Sequence, residues 1–478
     1  MSNQDRANVK ALRKRFKGEV LLPGDPAYDT TRRVWNAMVD RRPAVIARCS
    51  VGDDVVEAVR FAREHDLEVG VRCGGHGILG AAVPEGGLMV DLTPMGGVRV
   101  DPGSRRAWVQ GGALLGALDR ATQAYGLGVT AGNVSHTGVG GLTLGGGMGW
   151  LARRYGLTCD QVDSFELVSA DGQVLRVSAD EHEDLFWGLR GGGGNFGIVT
   201  EFEFRLHEIG TSALVVELWY PADEAANPMR GWRDLLAEAS RQATYTAWVG
   251  SAREAPSPAD GPSGGSLASI GYVWVGDPDA GLEPLGPLRA LGTPLFERIR
   301  GMTYLELQTM DDTVEEHAIR RYWKGHYLRE LTDEAIEAFL LRGMARGEDG
   351  SLAPAASLQA YGGAIAEVAP EATAFSQRDA LVEFVAASRW TDPGEDDARI
   401  AAARRYGASI ERFASGSYVN ALVDEGEIGV RRAYRPGQLA RLTALKDTYD
   451  PDNVFHLNHN IPPSARKVTD GANKVRRW

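Results

Sequence analysis

Cysteine is scarce in this chain of 478 residues: Cys49, Cys73 and Cys159 are the only three, odd in number and without metal-site spacing. A disulfide framework is therefore not expected, and each reads as a small buried side chain. Long apolar runs are missing too. The opening MSNQDRANVKALRKRFKG has no apolar stretch of the secretory kind, and nowhere do about 18 apolar residues follow one another. The expectation is a cytoplasmic protein with no membrane partner. Positive charge is the third shortage. A net charge of −12 with no segregated basic block argues against a nucleic-acid partner, because a phosphate backbone would be repelled. What remains, 43% apolar and 24% charged, is ordinary for a globular chain long enough for two domains.

Glycine is plentiful and clustered. The segment Val71 to Gly80, VRCGGHGILG, ends an apolar run on Gly74, Gly75, His76 and Gly77. Such a turn can hold an anion through backbone N–H groups and present an imidazole beside it. Thr130 to Gly149, TAGNVSHTGVGGLTLGGGMG, has eight glycines in twenty residues. That composition predicts neither a stable helix nor an ordinary strand, since glycine loses the most backbone entropy on folding. Yet Val134, Val139, Leu142, Leu144 and Met148 make it too apolar for a flexible linker, so the reading is backbone packed against a flat ligand. A third cluster, Gly191 to Gly197, leads into a strand predicted over Ile198 to Leu206.

Around these clusters the first third alternates strand and helix patterns: strands at Pro43 to Cys49 and Leu67 to Arg72, and a helix over Asp53 to His65 with an acidic first turn. Asp171-Gly172 marks a hairpin. From about Glu208 the glycine clusters end. Strand patterns such as Ala213 to Tyr220 and Ile270 to Val275 then alternate with helices, including Thr332 to Leu341. Glu254 to Ser266 reads as a loop, Gly437 to Tyr449 as a helix, and the final basic stretch as a surface strap.

GGH at Gly74 to His76, TGVGGLTLGGGMG at Thr137 to Gly149, RGGGGNFGIVTEFEF at Arg190 to Phe204 and YDPDNVFHLNHNIPP near the end occur in that order. Together they resemble the berberine bridge enzyme-like FAD-linked oxidases of the vanillyl-alcohol oxidase superfamily. The pattern is nearest the bacterial members of the 6-hydroxy-D-nicotine oxidase type. The resemblance implies an α+β fold: a two-subdomain α/β FAD-binding domain of the PCMH type over residues 1–207, an inserted antiparallel-sheet substrate domain over 208–415, and a segment 416–478 returning to the first. It implies FAD bonded through its 8α carbon to His76. The second, cysteinyl bond of some members falls at Val134 here, so a single attachment is expected, and Cys159 is a poor substitute. The implied cofactor contacts are Arg72, Cys73, Gly74, Gly75 and Gly77 in the first loop. In the second they are Thr137, Gly138, Gly140, Gly141, Thr143, Gly145, Gly146, Gly147 and Gly149. Asn195, Gly197, Ile198 and Val199 follow, and then Asn458 and Asn460 near the end.

The implied reaction moves a hydride from a C–H beside OH or NH of a small phenolic, alkaloid-like or other secondary metabolite to flavin. Dioxygen is the expected acceptor, with Thr137 at the place where relatives admit it, and hydrogen peroxide the product. A dehydrogenase with another acceptor, or a flavin-carrying protein without turnover, stands as the alternative. Relatives carry a tyrosine after the asparagine of a YxN motif, but Tyr418-Val419-Asn420 is followed by Ala421. Attention moves to LQAYGGAIAEV, read as a strand in which Gln359, Tyr361, Gly363 and Glu367 share one face. Glu367 is the candidate base, with Tyr418, Gln359 and Tyr361 as further catalytic candidates. Trp323, Lys324 and His326 are possible pocket lining. His456 and His459 have no acidic or histidine partner spaced for a metal, and a monomer or homodimer is expected.

Overall fold

The computed structural model describes residues 3–255, 265–312, 319–344 and 352–465. Most of the loop expected between Glu254 and Ser266, and the basic C-terminal stretch, lie outside the described residues. Among the described residues the strands form four sheets.

The first sheet contains β1 (Glu19–Leu21), β2 (Val45–Arg48), β3 (Val69–Arg72) and β4 (Leu88–Asp91) in the order β1-β2-β4-β3. β2, β4 and β3 run parallel. Parallel neighbours need a crossover, and the helix Gly52–Glu64 supplies it. Its Val55, Val59 and Ala62, spaced on one helical face, are buried against the sheet. Buried Asp54 in its first turn accepts hydrogen bonds from the backbone of Lys17 (2.7 Å), Gly18 (3.0 Å) and Ser50 (2.9 Å), tying the N-terminal segment to the helix start.

Next come β5 (Val98–Asp101), β6 (Arg106–Gln110), the two-residue β7 (Leu127–Gly128), β8 (Val162–Val168), β9 (Val174–Ser178) and β10 (Ile198–Arg205). They build an antiparallel sheet in the order β5-β6-β10-β8-β9, while β7 pairs with β11 (His207–Glu208). The expected hairpin joins β8 to β9, with Gly172 at φ 77°. One expectation fails here. Within the glycine-rich stretch, Val139–Leu144 is a helix. Its apolar face docks in the core of this sheet, and tertiary burial outweighs the poor helix propensity of Gly140 and Gly141.

The third large unit is an antiparallel seven-stranded sheet of β12 (Ser212–Pro221), β13 (Ala243–Ser251), β14 (Ser266–Val275), β15 (Phe296–Thr303), β16 (Arg320–Leu328), β17 (Ala355–Ala360) and β18 (Val382–Trp390). Its order is β15-β12-β14-β13-β17-β18-β16. One face is apolar. Leu218, Ile270, Leu358 and Phe384 bury it against Trp232, Phe339 and Tyr406 of the helices Ala226–Leu235, Asp333–Leu341 and Asp396–Glu411. Each such side chain contributes about 1.5–3 kcal/mol. Alternation along the strands turns Trp323, Tyr327, Glu383 and Gln359 to the other face. That face meets the N-terminal sheets, where Asn36 donates to the carbonyl of Arg321 (3.1 Å) and Thr244 to that of Trp150 (2.9 Å).

The helices Gly426–Ala433 and Pro436–Tyr449 return to the second sheet through Val430, Leu442 and Leu445. No helix among the described residues is long and apolar enough to cross a membrane.

Candidate functional site

β3 delivers the first glycine loop beyond its C-terminal end. Gly75 takes φ 69°, which turns the chain and leaves His76 half-buried at the tip. The His76 ring stacks on Trp35 at 4.4 Å, and the Arg321 guanidinium caps the far side of Trp35 at 3.9 Å. His76 Nε2 lies 2.6 Å from His136 Nδ1, and His76 Nδ1 lies 3.2 Å from the Thr137 hydroxyl. Arg72 donates to the carbonyl of Thr31, while its buried Nε has no partner. Burial pushes the Cys73 thiol up to about 11, so it stays protonated and donates to the Ala113 carbonyl at 3.4 Å.

The second loop lies against the first, backbone to backbone. A Cβ on Gly138 would stand 2.3 Å from the nitrogen of Gly74, and one on Gly74 equally close to that of Gly138. Further along, a Cβ on Gly145 would strike Asn420, and the N–H of Gly147 donates to the Tyr418 hydroxyl at 2.9 Å. The Thr143 hydroxyl is spent on the Val139 carbonyl of its own helix at 2.7 Å. In contrast, Gly77, Gly141 and Gly194 have open space where a side chain would be.

The third cluster and the C-terminal segment are stitched together. Asn195 donates to Gly192 O (2.9 Å) and accepts from the N–H of Ile461 (3.0 Å). Asn458 donates to Gly194 O (2.9 Å). Buried Lys446 adds a staple, donating to the carbonyls of Asn195 (2.8 Å) and Phe455 (3.0 Å) and to Asp450 (2.6 Å). Ile198 and Val199 turn their side chains into two cores, so only their backbone could meet a cofactor. The Oδ1 atoms of Asn458 and Asn460 are buried without partners. A buried polar atom left unpaired is costly. Bare glycine backbone together with the unpaired Arg72, Asn458 and Asn460 atoms fits a large ligand carrying both phosphate oxygens and ring N–H and carbonyl groups, as FAD does.

Opposite these loops, three strands place Tyr327, Glu383 and Gln359 in one row, Glu383 pairing with Tyr327 on one side and Gln359 on the other. Tyr361 donates to Glu383 Oε2 at 2.9 Å, and its hydroxyl lies 2.9 Å from that of Tyr327. Burial raises the Glu383 carboxyl from 4.5 to about 7, against a smaller opposing pull from the Tyr361 hydrogen bond. The Tyr327 ring lies 6.1 Å from that of Tyr418, whose hydroxyl also accepts from Asn420 at 3.0 Å. Burial pushes the Tyr418 phenol up as well. Tyr418, bonded to the glycine loop at Gly147, thus meets the Tyr327–Tyr361–Glu383 hydrogen-bonded group through a ring contact with Tyr327. The Gln359 amide nitrogen in that row is buried without a partner.

Glu367 requires correction. The strand stops at Ala360, Gly362 and Gly363 take φ 80° and 55°, and Ala364–Glu367 is a helical turn. The two glycines break the alternation on which the shared face depended. Glu367 is exposed and ion-paired with Arg241, whereas the Tyr361 hydroxyl is turned inward onto Glu383. Trp323 meets Trp35 edge-on at 5.3 Å, whereas Lys324 points to Asp424 (2.7 Å) and Glu425. His326 is buried between the Gly407 carbonyl and Arg432, and that burial lowers it to about 4. Cys159 is buried in an apolar cluster and its thiol is pushed up, so it offers no thiolate. His456 sits beside Glu68 at 3.3 Å.

Glu383, Tyr327, His136 and Asp312 were not singled out from sequence. Glu383 had a legible signal as a lone acid inside LVEFVAA. His136 stands two residues before GVGG, but its partner Asp312 is remote in sequence.

A family model of the FAD binding domain matches residues 43–178, and the "berberine and berberine like" model matches residues 417–462. The chain is 31% identical to (R)-6-hydroxynicotine oxidase of Paenarthrobacter nicotinovorans, covering 94% of this chain and 98% of that protein. It is 30% identical to the FAD-linked oxidoreductase YgaK of Bacillus subtilis (strain 168), covering 95% and 99%. The crystal structure of 6-hydroxy-D-nicotine oxidase from Arthrobacter nicotinovorans superposes with a TM-score of 0.80 at 28% identity, over 93% of this chain and 98% of that one. Glucooligosaccharide oxidase from Acremonium strictum, a 6-S-cysteinyl, 8α-N1-histidyl FAD protein, shares the fold with a TM-score of 0.84 at 24% identity, over 96% and 99%.

Proposed function

Because the chain belongs to the FAD-linked oxidoreductases with a berberine-like C-terminal segment, we propose that it is an oxidase of small phenolic, alkaloid-like or related molecules. In this reading FAD is held covalently through His76 alone, and dioxygen is reduced to hydrogen peroxide. Residues 1–207 and 416–478 bind FAD, residues 208–415 cover the substrate, and the enzyme works in the cytoplasm.

The observation that carries the proposal is the Glu383 row. A buried carboxyl near 7, fixed by Tyr361, faces the glycine loops that fit FAD. FAD held by these loops would supply the hydride-accepting chemistry. The protein's part is to remove the proton from the substrate OH or NH, and a base titrating near neutral pH suits that task. Tyr361 orients Glu383, and Tyr327 extends the hydrogen-bonded chain. Gln359, with an unpaired amide nitrogen, is placed to hold a substrate oxygen. Tyr418 accepts from Gly147 and Asn420 and so fixes the glycine loop against the substrate side. This assignment replaces Glu367 as base.

The test is a peroxide-release screen of amines, phenols and alcohols with purified protein, alongside colour retention in acid precipitate. Substrate-dependent peroxide and an acid-stable yellow chain are expected, with the acid-stable colour lost in His76→Ala. Bleaching by substrate without peroxide would instead point to another electron acceptor.

A further inference from the structure

Tyr361 also borders a cleft of about 460 Å³ that is lined by neither Glu383 nor Gln359. We propose that this cleft binds an organic carboxylate, a small apolar body with one negative head, at the guanidinium of Arg153. Arg153 belongs to the helical turn Ala152–Tyr155, just beyond the second glycine loop, and is only 4% exposed. Its Nε donates to the carbonyl of Ala243 at the start of β13 (2.9 Å), its Nη2 to that of Ala239 (3.1 Å) and its Nη1 to that of Tyr361.

A guanidinium has five N–H groups, and three carbonyls take three of them. One N–H on each of Nη1 and Nη2 is left, a fork suited to the two oxygens of a carboxylate. Gly362 also lines the cleft, and a Cβ on it would stand 3.6 Å from Nη1, which puts that nitrogen at the cleft wall. Among the described residues no carboxylate pairs with Arg153, and burial lowers its guanidinium. A buried charge met only by neutral carbonyls is costly, and an opposite charge supplied from solution relieves that cost.

The rest of the lining sets the class of ligand. Glu367 and Arg241, both exposed, pair with each other, so the cleft keeps the single positive charge of Arg153. That charge matches a monoanion better than a phosphate dianion. Leu236, Ala380 and Leu381 offer apolar wall to the body behind the head. The site adjoins the catalytic row without belonging to it: Tyr361 accepts from Arg153 through its carbonyl and donates to Glu383 through its hydroxyl.

The experiment is calorimetric titration of the full-length protein with sodium benzoate, against benzamide and inorganic phosphate at equal ionic strength. Wild type should bind benzoate saturably, and benzamide and phosphate at least about tenfold more weakly. Ala366→Trp, at an exposed position on the cleft wall, fills the space while keeping Arg153, and should weaken benzoate binding at least about tenfold. Arg153→Met should bind none. Gln359→Ala, in the catalytic row, should keep the wild-type affinity. Wild type without saturable benzoate binding, or Ala366→Trp binding as wild type does, overturns the proposal. Binding lost in Gln359→Ala puts benzoate in the substrate site and overturns it as well. Phosphate or benzamide binding as tightly as benzoate overturns the carboxylate assignment. If Arg153→Met does not fold, Ala366→Trp and Gln359→Ala decide by the same affinities.

Discussion

Replacing Glu383 by glutamine keeps its shape and its hydrogen bond with Tyr361 while removing the titration. Burial raises this carboxyl from 4.5 to about 7. At about 1.36 kcal/mol per pH unit, that gap is about 3 kcal/mol between its protonation states. The sign follows from proton counting. Between pH 4.5 and 7 the folded chain binds this proton more tightly than the unfolded chain, so stability falls as pH rises through that window. In Glu383→Gln that component, up to about 3 kcal/mol by pH 8, should vanish from urea melts of the FAD-loaded protein compared with wild type across pH 4.5 to 8. Activity moves the other way. Wild-type kcat/KM should rise through pH about 7 as the base ionises, whereas the variant should be flat and about 100-fold to 10,000-fold slower. A variant that keeps the wild-type pH profile in both assays would refute a buried carboxyl acting as base. Lost activity with unchanged melts would show that Glu383 is exposed in the holoenzyme.

Other perturbations test the frame of the site. Glu367→Gln should leave kcat/KM within about twofold of wild type, because an exposed ion pair with Arg241 contributes little. Tyr418→Phe strips the acceptor from Gly147 N–H and Asn420, at about 1–3 kcal/mol, visible as a lower melting temperature and weaker FAD retention. Arg378 makes a bidentate pair with Asp160 at 2.6 and 2.8 Å, both side chains buried. Arg378→Met should cost about 3–5 kcal/mol in denaturant melts by stranding that carboxylate. Gly138→Ala should abolish FAD binding in a titration, since its methyl would displace the Gly74 backbone.

Local chemistry made several features legible in the sequence. Strand and helix periods gave the alternation of β2, the helix Gly52–Glu64 and β3, and Asp171-Gly172 gave the β8–β9 turn. The glycine clusters and GGH marked the loops whose backbones pack against each other, because close backbone approach leaves few residue choices. The helix at Val139–Leu144 was hidden, since its stability comes from burial against residues far along the chain. Glu367 was misjudged for a related reason. Periodicity extends a strand until something breaks it, and the break here lies in the backbone angles of Gly362 and Gly363.

By itself, the sequence displayed a glycine-rich loop with His76 in it and a valine, Val134, four residues before Gly138. Only the tertiary structure decided which carboxyl is buried and which histidine touches His76. Glu383 owes its raised pKa to neighbours on β16 and β17, and the His76–His136–Asp312 series joins three segments. Desolvation and hydrogen-bond distance belong to the packed chain, and residue order alone does not encode them in readable form.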